Sequence, residues 1–367
     1  MKRIFIIFMI IILFGRFIML RQPEFYLERN IGYGHEYLEE EKSCLEFIKT
    51  KMSSNKGGIY TNYLDTDEIG ELAKGYQILS ESEGLIMQYY VEKGDKKGFD
   101  QHLDLVKNKM MGDEGLIRWR IREENNQISN SSASLDDLRI VRSLIYAYDL
   151  WKEEKYYKIL KRISKGLLKY STNKGYLTSY YEFGSKYRAK KIDLCYIDLY
   201  TMNLLRNVHR KWEVPYKNGL KIIQGGYISN KLPLYKKSFN IDSKRYSTNE
   251  NINSIEALLV VLHLSEMNLV KQETIKWIRK QVFGKGIFLE YNIKTGYPIC
   301  EDESTAVYAI TARIAKNIRD EALYKQAMKR MLRLQILDKT SPLYGAFGNI
   351  DTYEVFSFDN LQALLAF

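Results

Sequence analysis

Proline is scarce in this 367-residue chain, at 5 copies, and cysteine scarcer still, at 3. Few prolines, together with long stretches of 3.6-residue apolar period, predict an all-helical domain. Cys44, Cys195 and Cys300 are far apart and odd in number, which excludes a disulfide framework and a CxxC pair. The four histidines, His35, His102, His209 and His263, fall at no metal-ligand spacing. A zinc enzyme is therefore not expected, and no other metal or cofactor is. The net charge of +11 comes from scattered Lys and Arg. There is no Arg-rich block and no basic–aromatic alternation, so nucleic acid is not the expected partner. A dispersed positive surface suits an anionic cell envelope equally well.

Tyrosine, by contrast, is abundant at 29 copies. Its flat face and hydroxyl furnish polar clefts; an A+T-rich genome would also supply it, and the two readings stand side by side. Apolar residues make up 45% of the chain, enough for a sizeable core. The N-terminus, "MKRIFIIFMIIILFGRFIML", carries Lys2 and Arg3, then an apolar run to Phe14, then Gly15-Arg16. Residues 1–22 are expected to be a signal peptide or a membrane signal anchor, the only contact with a membrane, and residues 23–367 the exported domain. Arg16 weakens a full membrane span.

A glycine followed by apolar or aromatic residues recurs at Gly58, Gly115, Gly175, Gly226, Gly286 and Gly345, at spacings of 57, 60, 51, 60 and 59. After each comes a polar loop and a fresh apolar helix pattern, such as "SLDDLRIVRSLIYAYDLW" and "NSIEALLVVLHL". A second, more charged helix fills the rest of the unit. Six units of roughly 55 residues predict an (α/α)6 barrel, with apolar helices inside, charged helices outside and the Gly-aromatic loops on one face. A monomer is expected. Every inner helix but one opens with a carboxylate: Glu83, Asp136/Asp137, Asp193, Glu303 and Asp359; the fourth has Asn253. Acids at a helix start complement the dipole. Converging on one cleft without metal ligands or a Ser/Cys/His constellation, they also point to glycoside hydrolysis.

Ser82-Glu83-Gly84, "GLIRW" ending at Trp119, "SASLDDLRI" at 132–140 and "DLCY" at 193–196 resemble, in order and spacing, the pattern of glycoside hydrolase family 8. The resemblance implies an (α/α)6 barrel and an inverting, endo-acting hydrolase of a β-linked polysaccharide, with a role in exopolysaccharide processing. It places the general acid on Glu83 and leaves Glu81 to cap the helix. Asp137 is the firmer match to the sugar-positioning aspartate, with Asp136 as a substitute. Trp119, Tyr196 and Tyr60 become sugar-contacting aromatics. The family's basic aspartate falls on Asn253, and an amide cannot deprotonate water. Asp242 is the expected replacement, with Glu250 behind it. Two other readings follow from the sequence: a polysaccharide-binding protein without catalysis, favoured by Asn253, and a lyase using Tyr246 beside Arg245.

Overall fold

The computed structural model describes residues 24, 25, 27, 33–66 and 73–367. The expected signal segment over 1–22 lies outside the described residues. Among the described residues, no helix is long and apolar enough to cross a membrane.

The described chain contains twelve α-helices, which we number in order: α1 Leu38–Lys51, α2 Ser80–Lys93, α3 Lys96–Leu105, α4 Ser134–Trp151, α5 Glu154–Tyr170, α6 Leu199–Val208, α7 Glu213–Gly225, α8 Ser254–Ser265, α9 Gln272–Phe283, α10 Thr305–Asn317, α11 Glu321–Leu332 and α12 Ser357–Ala366. The even-numbered helices are buried almost all round, as in α10, where every residue from Thr305 to Ala315 is buried. Helices that are apolar on all sides belong inside. The odd-numbered ones bury one stripe each; α5 buries Tyr156, Leu160, Ile163 and Leu167 and turns its lysines outward. Inner helices touch in the order α2, α4, α6, α8, α10, α12 and back to α2, so the ring closes. This is the expected (α/α)6 barrel, and α8 stands diametrically across from α2.

Short strands stitch the rim. The strand before an inner helix pairs with the first strand of the next unit: Ile78–Leu79 with Arg120–Arg122, Ser131–Ala133 with Tyr180–Glu182, Lys191–Asp193 with Ser238–Asn240, and Asn251–Asn253 with Glu290–Asn292. Closure is made by the Asn62–Phe356 bridge and by Ser357 N–H on the Thr61 carbonyl. Between these strands, hairpin tips repeat one turn. Asn240, Asn292 and Asn349 each accept from the amides two and three residues on. Such an Asx turn fixes the reversal locally. Lys244, Gly296 and Tyr353 then take positive φ at the same place.

A second repeat ties each loop to the helix that follows. The fourth residue of α2, Glu83, accepts from Ile59 N–H at 2.9 Å, and the fourth of α4, Asp137, from Ile117 N–H at 2.8 Å. Tyr308 of α10 accepts from Ile287 N–H, and Asn360 of α12 from Phe347 N–H. Each partner lies one or two residues after a repeat glycine. These buried amides would otherwise be orphaned, at about 1–3 kcal/mol each.

Candidate active site

The N-termini of α2 and α4 are held unusually close. A Cβ built on Gly84 would stand 3.0 Å from the Cβ of Arg139, and the Ser143 hydroxyl donates to the Gly84 carbonyl at 3.2 Å. Only a glycine lets the two backbones approach this way. The approach brings Glu81 of α2 to Arg139 of α4. One nitrogen, Arg139 Nη1, donates to Glu81 Oε2 at 2.7 Å and to Asp136 Oδ1 at 3.2 Å. Ser80 Oγ donates to the other Asp136 oxygen at 2.8 Å. Burial, then the neighbouring Glu81 carboxylate, push the Asp136 carboxyl up to about 7, against the pull of Arg139 and Ser80. A proton therefore stays in this pair near neutral pH. Glu81 is the more accessible member, its side chain 29% exposed against 9% for Asp136.

Of the expected aromatics, Tyr196 interacts with the pair, and Trp119 and Tyr60 lie in neighbouring loop segments. The Trp119 carbonyl receives Ser80 N–H at 3.0 Å, which ties its backbone to the start of α2, and Arg120 covers its ring at 4.5 Å. Tyr196, half-buried, has its hydroxyl pushed up by burial first and then by Asp136, with Glu81 also contributing. Tyr60 stacks on Tyr76 with centroids 4.2 Å apart and planes 11° apart. Its strand bridges to Ile78, two residues before α2. Tyr76 was not anticipated; its place in the stack depends on a loop geometry that no period encodes.

Other expected residues are placed elsewhere. Glu83 has no exposed surface: one oxygen takes Ile59 N–H and the other faces His102 Nδ1 at 2.7 Å. It is a link in the loop-to-helix repeat, whereas Glu81, expected as the cap, is the acid of this turn that keeps exposed surface, at 29% of its side chain. Asp137 is likewise fully buried, bonded to Ile117 N–H, its carboxyl pushed well up by burial. Asp136, the substitute, is also buried but meets Arg139 and Ser80 rather than a loop amide. Asn253 caps α8 by accepting from Glu256 N–H. Asp193 precedes α6 in a rim strand, on Ser179 and Lys191, and α6 itself starts behind Asp198. Glu303 turns outward to Tyr308, Arg330 and Arg333. Asp359 is half-buried, accepting from Ser304 Oγ and Ala306 N–H at the start of α10.

Asp242 lies at the tip of the hairpin Ser238–Asn240 and Arg245–Tyr246, in the segment that leads into α8. Its side chain is 42% exposed and meets Lys174 at 2.9 Å, which holds its carboxyl below the usual range. It is ionised, and no residue of the Glu81–Asp136 cluster touches it. Glu250 is exposed on the rim. Tyr246 spends its hydroxyl on the Ile222 carbonyl at 2.7 Å, which leaves it unsuited to the base role of a lyase.

Among the described residues, one trio has metal-ligand proximity: Asp198, His263 and Glu266. Arg142 donates to both carboxylates. The guanidinium already occupies the place of a cation there.

The arrangement of an acid pair and aromatics on the loop face of a six-hairpin ring is one that cleaves glycosidic bonds. The family model for glycosyl hydrolases family 8 matches residues 67–176. A solved structure described as a novel alpha-amylase from Clostridium perfringens is 38% identical, covers 91% of this chain and 98% of its own, and superposes with a TM-score of 0.85. The endo-beta-1,4-glucanase CMCax from Acetobacter xylinum shares the fold at 14% identity and a TM-score of 0.63, over 89% of this chain and 96% of that one. A Bacillus subtilis (strain 168) protein named "Putative lipoprotein YdaJ" is 28% identical over 335 residues, 87% of this chain and 84% of its own. The chain belongs to glycoside hydrolase family 8 and is a glycoside hydrolase.

Proposed function

We propose that the protein is an endo-acting, inverting hydrolase of a polysaccharide at the cell surface. The observation that carries this reading is the Glu81–Arg139–Asp136 cluster, in which the Asp136 carboxyl is pushed up to about 7 beside Tyr196. Glu81 protonates the glycosidic oxygen, with Asp136 and Arg139 setting the charge around it. The two carboxylates bracket a single nitrogen and so lie within about 6 Å, less than the roughly 6.5–9.5 Å an inverting pair needs to seat its water. The base therefore comes from another element. Asp242 fits in being ionised, solvent-facing and on the segment that leads to α8, across the ring from α2.

The β-linked substrate implied by the family pattern is supported by the fold shared with the Acetobacter β-1,4-glucanase. An α-linked glucan is a second reading, favoured by the much higher identity to the Clostridium α-amylase. The apolar N-terminus and the lipoprotein name of the Bacillus relative support a surface location and, with it, exopolysaccharide trimming.

Reducing-end release from β-1,4-glucan, xylan, chitosan, poly-N-acetylglucosamine and soluble starch tests the substrate. A viscosity loss ahead of reducing-end release tests endo action, and the anomer first released tests inversion. Asp242→Asn should lower kcat by about 10^2–10^4 with KM little changed. Full activity in Asp242→Asn removes it as base, and no release from any polymer favours a binding protein.

A further inference from the structure

The rim of the ring is electrically uneven. The loops that lead into α6 and α8, residues 171–193 and 226–253, hold ten Lys and Arg against four Asp and Glu. The next two loops around the ring, residues 284–304 and 333–356, hold four against seven. The positive sector is also ordered by the strands. Their register sets Lys191, Asn240 and Arg245 side by side, which puts the backbones of Lys191 and Arg245 about 10 Å apart. Ile192 and Phe239, next in their strands, are buried. Side chains alternate across a strand, so Lys191 and Arg245 point away from the core, and both are exposed.

The four acids do not neutralise this sector. Lys174 takes Asp242 at 2.9 Å, and Lys190 and Lys244 act on the same carboxyl, so three lysines converge on one acid. Lys191 takes Asp193 at 3.3 Å, Glu182 accepts from Ser185, and Glu250 is exposed. Lys237 is matched from outside the loops, by Glu256 of α8 at 3.1 Å. Arg188 donates to the Lys169 and Tyr170 carbonyls. Lys236 and Lys244 lie over the rings of Tyr246 and Tyr176. Among the described residues, Lys186, Lys190, Lys231 and Arg245 make no ion pair.

Local structure does not ask for all of these lysines. Lys186 and Lys244 take positive φ at their hairpin tips, 55° and 57°. That region favours Gly and Asn, and Asn126 and Gly296 stand at the matching place in two other hairpins. The sector is also continuous with the acid pair. Lys237 interacts with Glu256, Asp193 and Cys195, and the adjacent Tyr196 interacts with Asp136, Cys195, Glu81 and Asp193. A chain lying in the cleft therefore passes onto the cations as it leaves.

We propose that the polysaccharide this protein handles is acidic, and that Lys190, Lys191, Lys244 and Arg245 hold its carboxylate-bearing units at the rim. The inference rests on the function proposed above in taking the occupant to be a glycan; the cations supply its charge. One exposed ion pair is weak and screened by salt, but several along a repeating anion add up. The same field disfavours a polycation such as chitosan.

Calorimetric titration of the full chain tests it, because binding is read whether or not the polymer is cut. The probes are polygalacturonate and hyaluronate, with dextran and chitosan as neutral and cationic controls and phosphatidylglycerol vesicles as a competing anionic surface. Both polyuronates should bind more tightly than dextran or chitosan, and their affinity should fall about tenfold or more between about 50 and about 300 mM NaCl. Lys190→Gln with Arg245→Gln should weaken polyuronate binding by about tenfold or more. Lys49→Gln with Lys51→Gln, at the exposed end of α1, should leave it unchanged. Equal binding in the rim variant, an equal loss in the α1 variant, or binding to the vesicles without binding to either polyuronate overturns the proposal. Rim-dependent binding without cleavage of any polymer would end the hydrolase reading and keep this one; cleavage of a neutral polymer without polyuronate binding would do the reverse.

Discussion

Arg139 and Glu81 meet across two helices, Nη1 to Oε2 at 2.7 Å, and the same nitrogen reaches Asp136 one turn earlier on its own helix. The guanidinium is thus a spacer as well as a charge. It holds the two carboxylates near each other without a direct hydrogen bond between them.

The two glutamates of α2 should separate cleanly on substitution. Glu81→Gln should lower kcat by about 10^2–10^4 and leave oligosaccharide binding intact. Glu83→Gln can still accept from Ile59 N–H but loses its match to His102. It should cost about 1–3 kcal/mol of stability with kcat within a few-fold of wild type. Initial rates and chemical denaturation measure both; a Glu83→Gln protein that is fully stable but inactive would return the acid role to Glu83.

The pair also sets a pH signature. With the Asp136 carboxyl at about 7, kcat/KM should fall as pH rises above 7. Asp136→Asn removes the neighbouring carboxylate and should move that alkaline limb to lower pH by about one unit or more. Stability carries the same sign. The folded state binds the Asp136 proton more tightly than the unfolded chain, so this contribution is complete below about pH 4 and is lost as pH climbs through 7. A plot of Tm against pH should be flatter across that window in the variant.

The opposite pole behaves in the opposite sense. Burial pushes the Glu266 carboxyl up, yet Arg142 and His263 hold it well below the usual range. Its contribution to stability is present above about pH 5 and is lost progressively as pH falls below that. Arg142→Met leaves Asp198 and Glu266 buried without their counter-charge and should cost about 3–5 kcal/mol at neutral pH. Denaturant titrations at pH 4 and pH 7 should show the penalty shrinking in acid.

Trp119→Ala should raise KM about tenfold with kcat nearly constant, because an indole beside α2 can stack on a sugar without touching the reacting bond. A fall in kcat of the same size instead would mean that the indole supports the position of Ser80 and Glu81.

The ring was legible in the sequence because its two helix types differ in composition and its loops share a glycine. Motif order singled out Trp119, Tyr196 and Asp136, and the structure sets Tyr196 and Asp136 close enough to interact. Glu81 and Glu83 are both acids in the first turn, and periodicity does not say which one meets a loop amide. The missed signal was internal: Glu83, Asp137, Tyr308 and Asn360 all stand fourth in their helices, which marks a structural position rather than a catalytic one. Arg139 could not be read as a clamp, since the contact depends on Gly84 letting two helices approach. The cavity around Arg142 and Arg313 is lined from all six inner helices, which are distant in the chain.

The hairpin tips closed by Asn240, Asn292 and Asn349 draw their shape from their own side chains rather than from the barrel. They can therefore lengthen, shorten or change sequence while the twelve helices stay as they are. Substrate preference in this scaffold is free to drift at the rim, one turn at a time, at little expense to the ring beneath it.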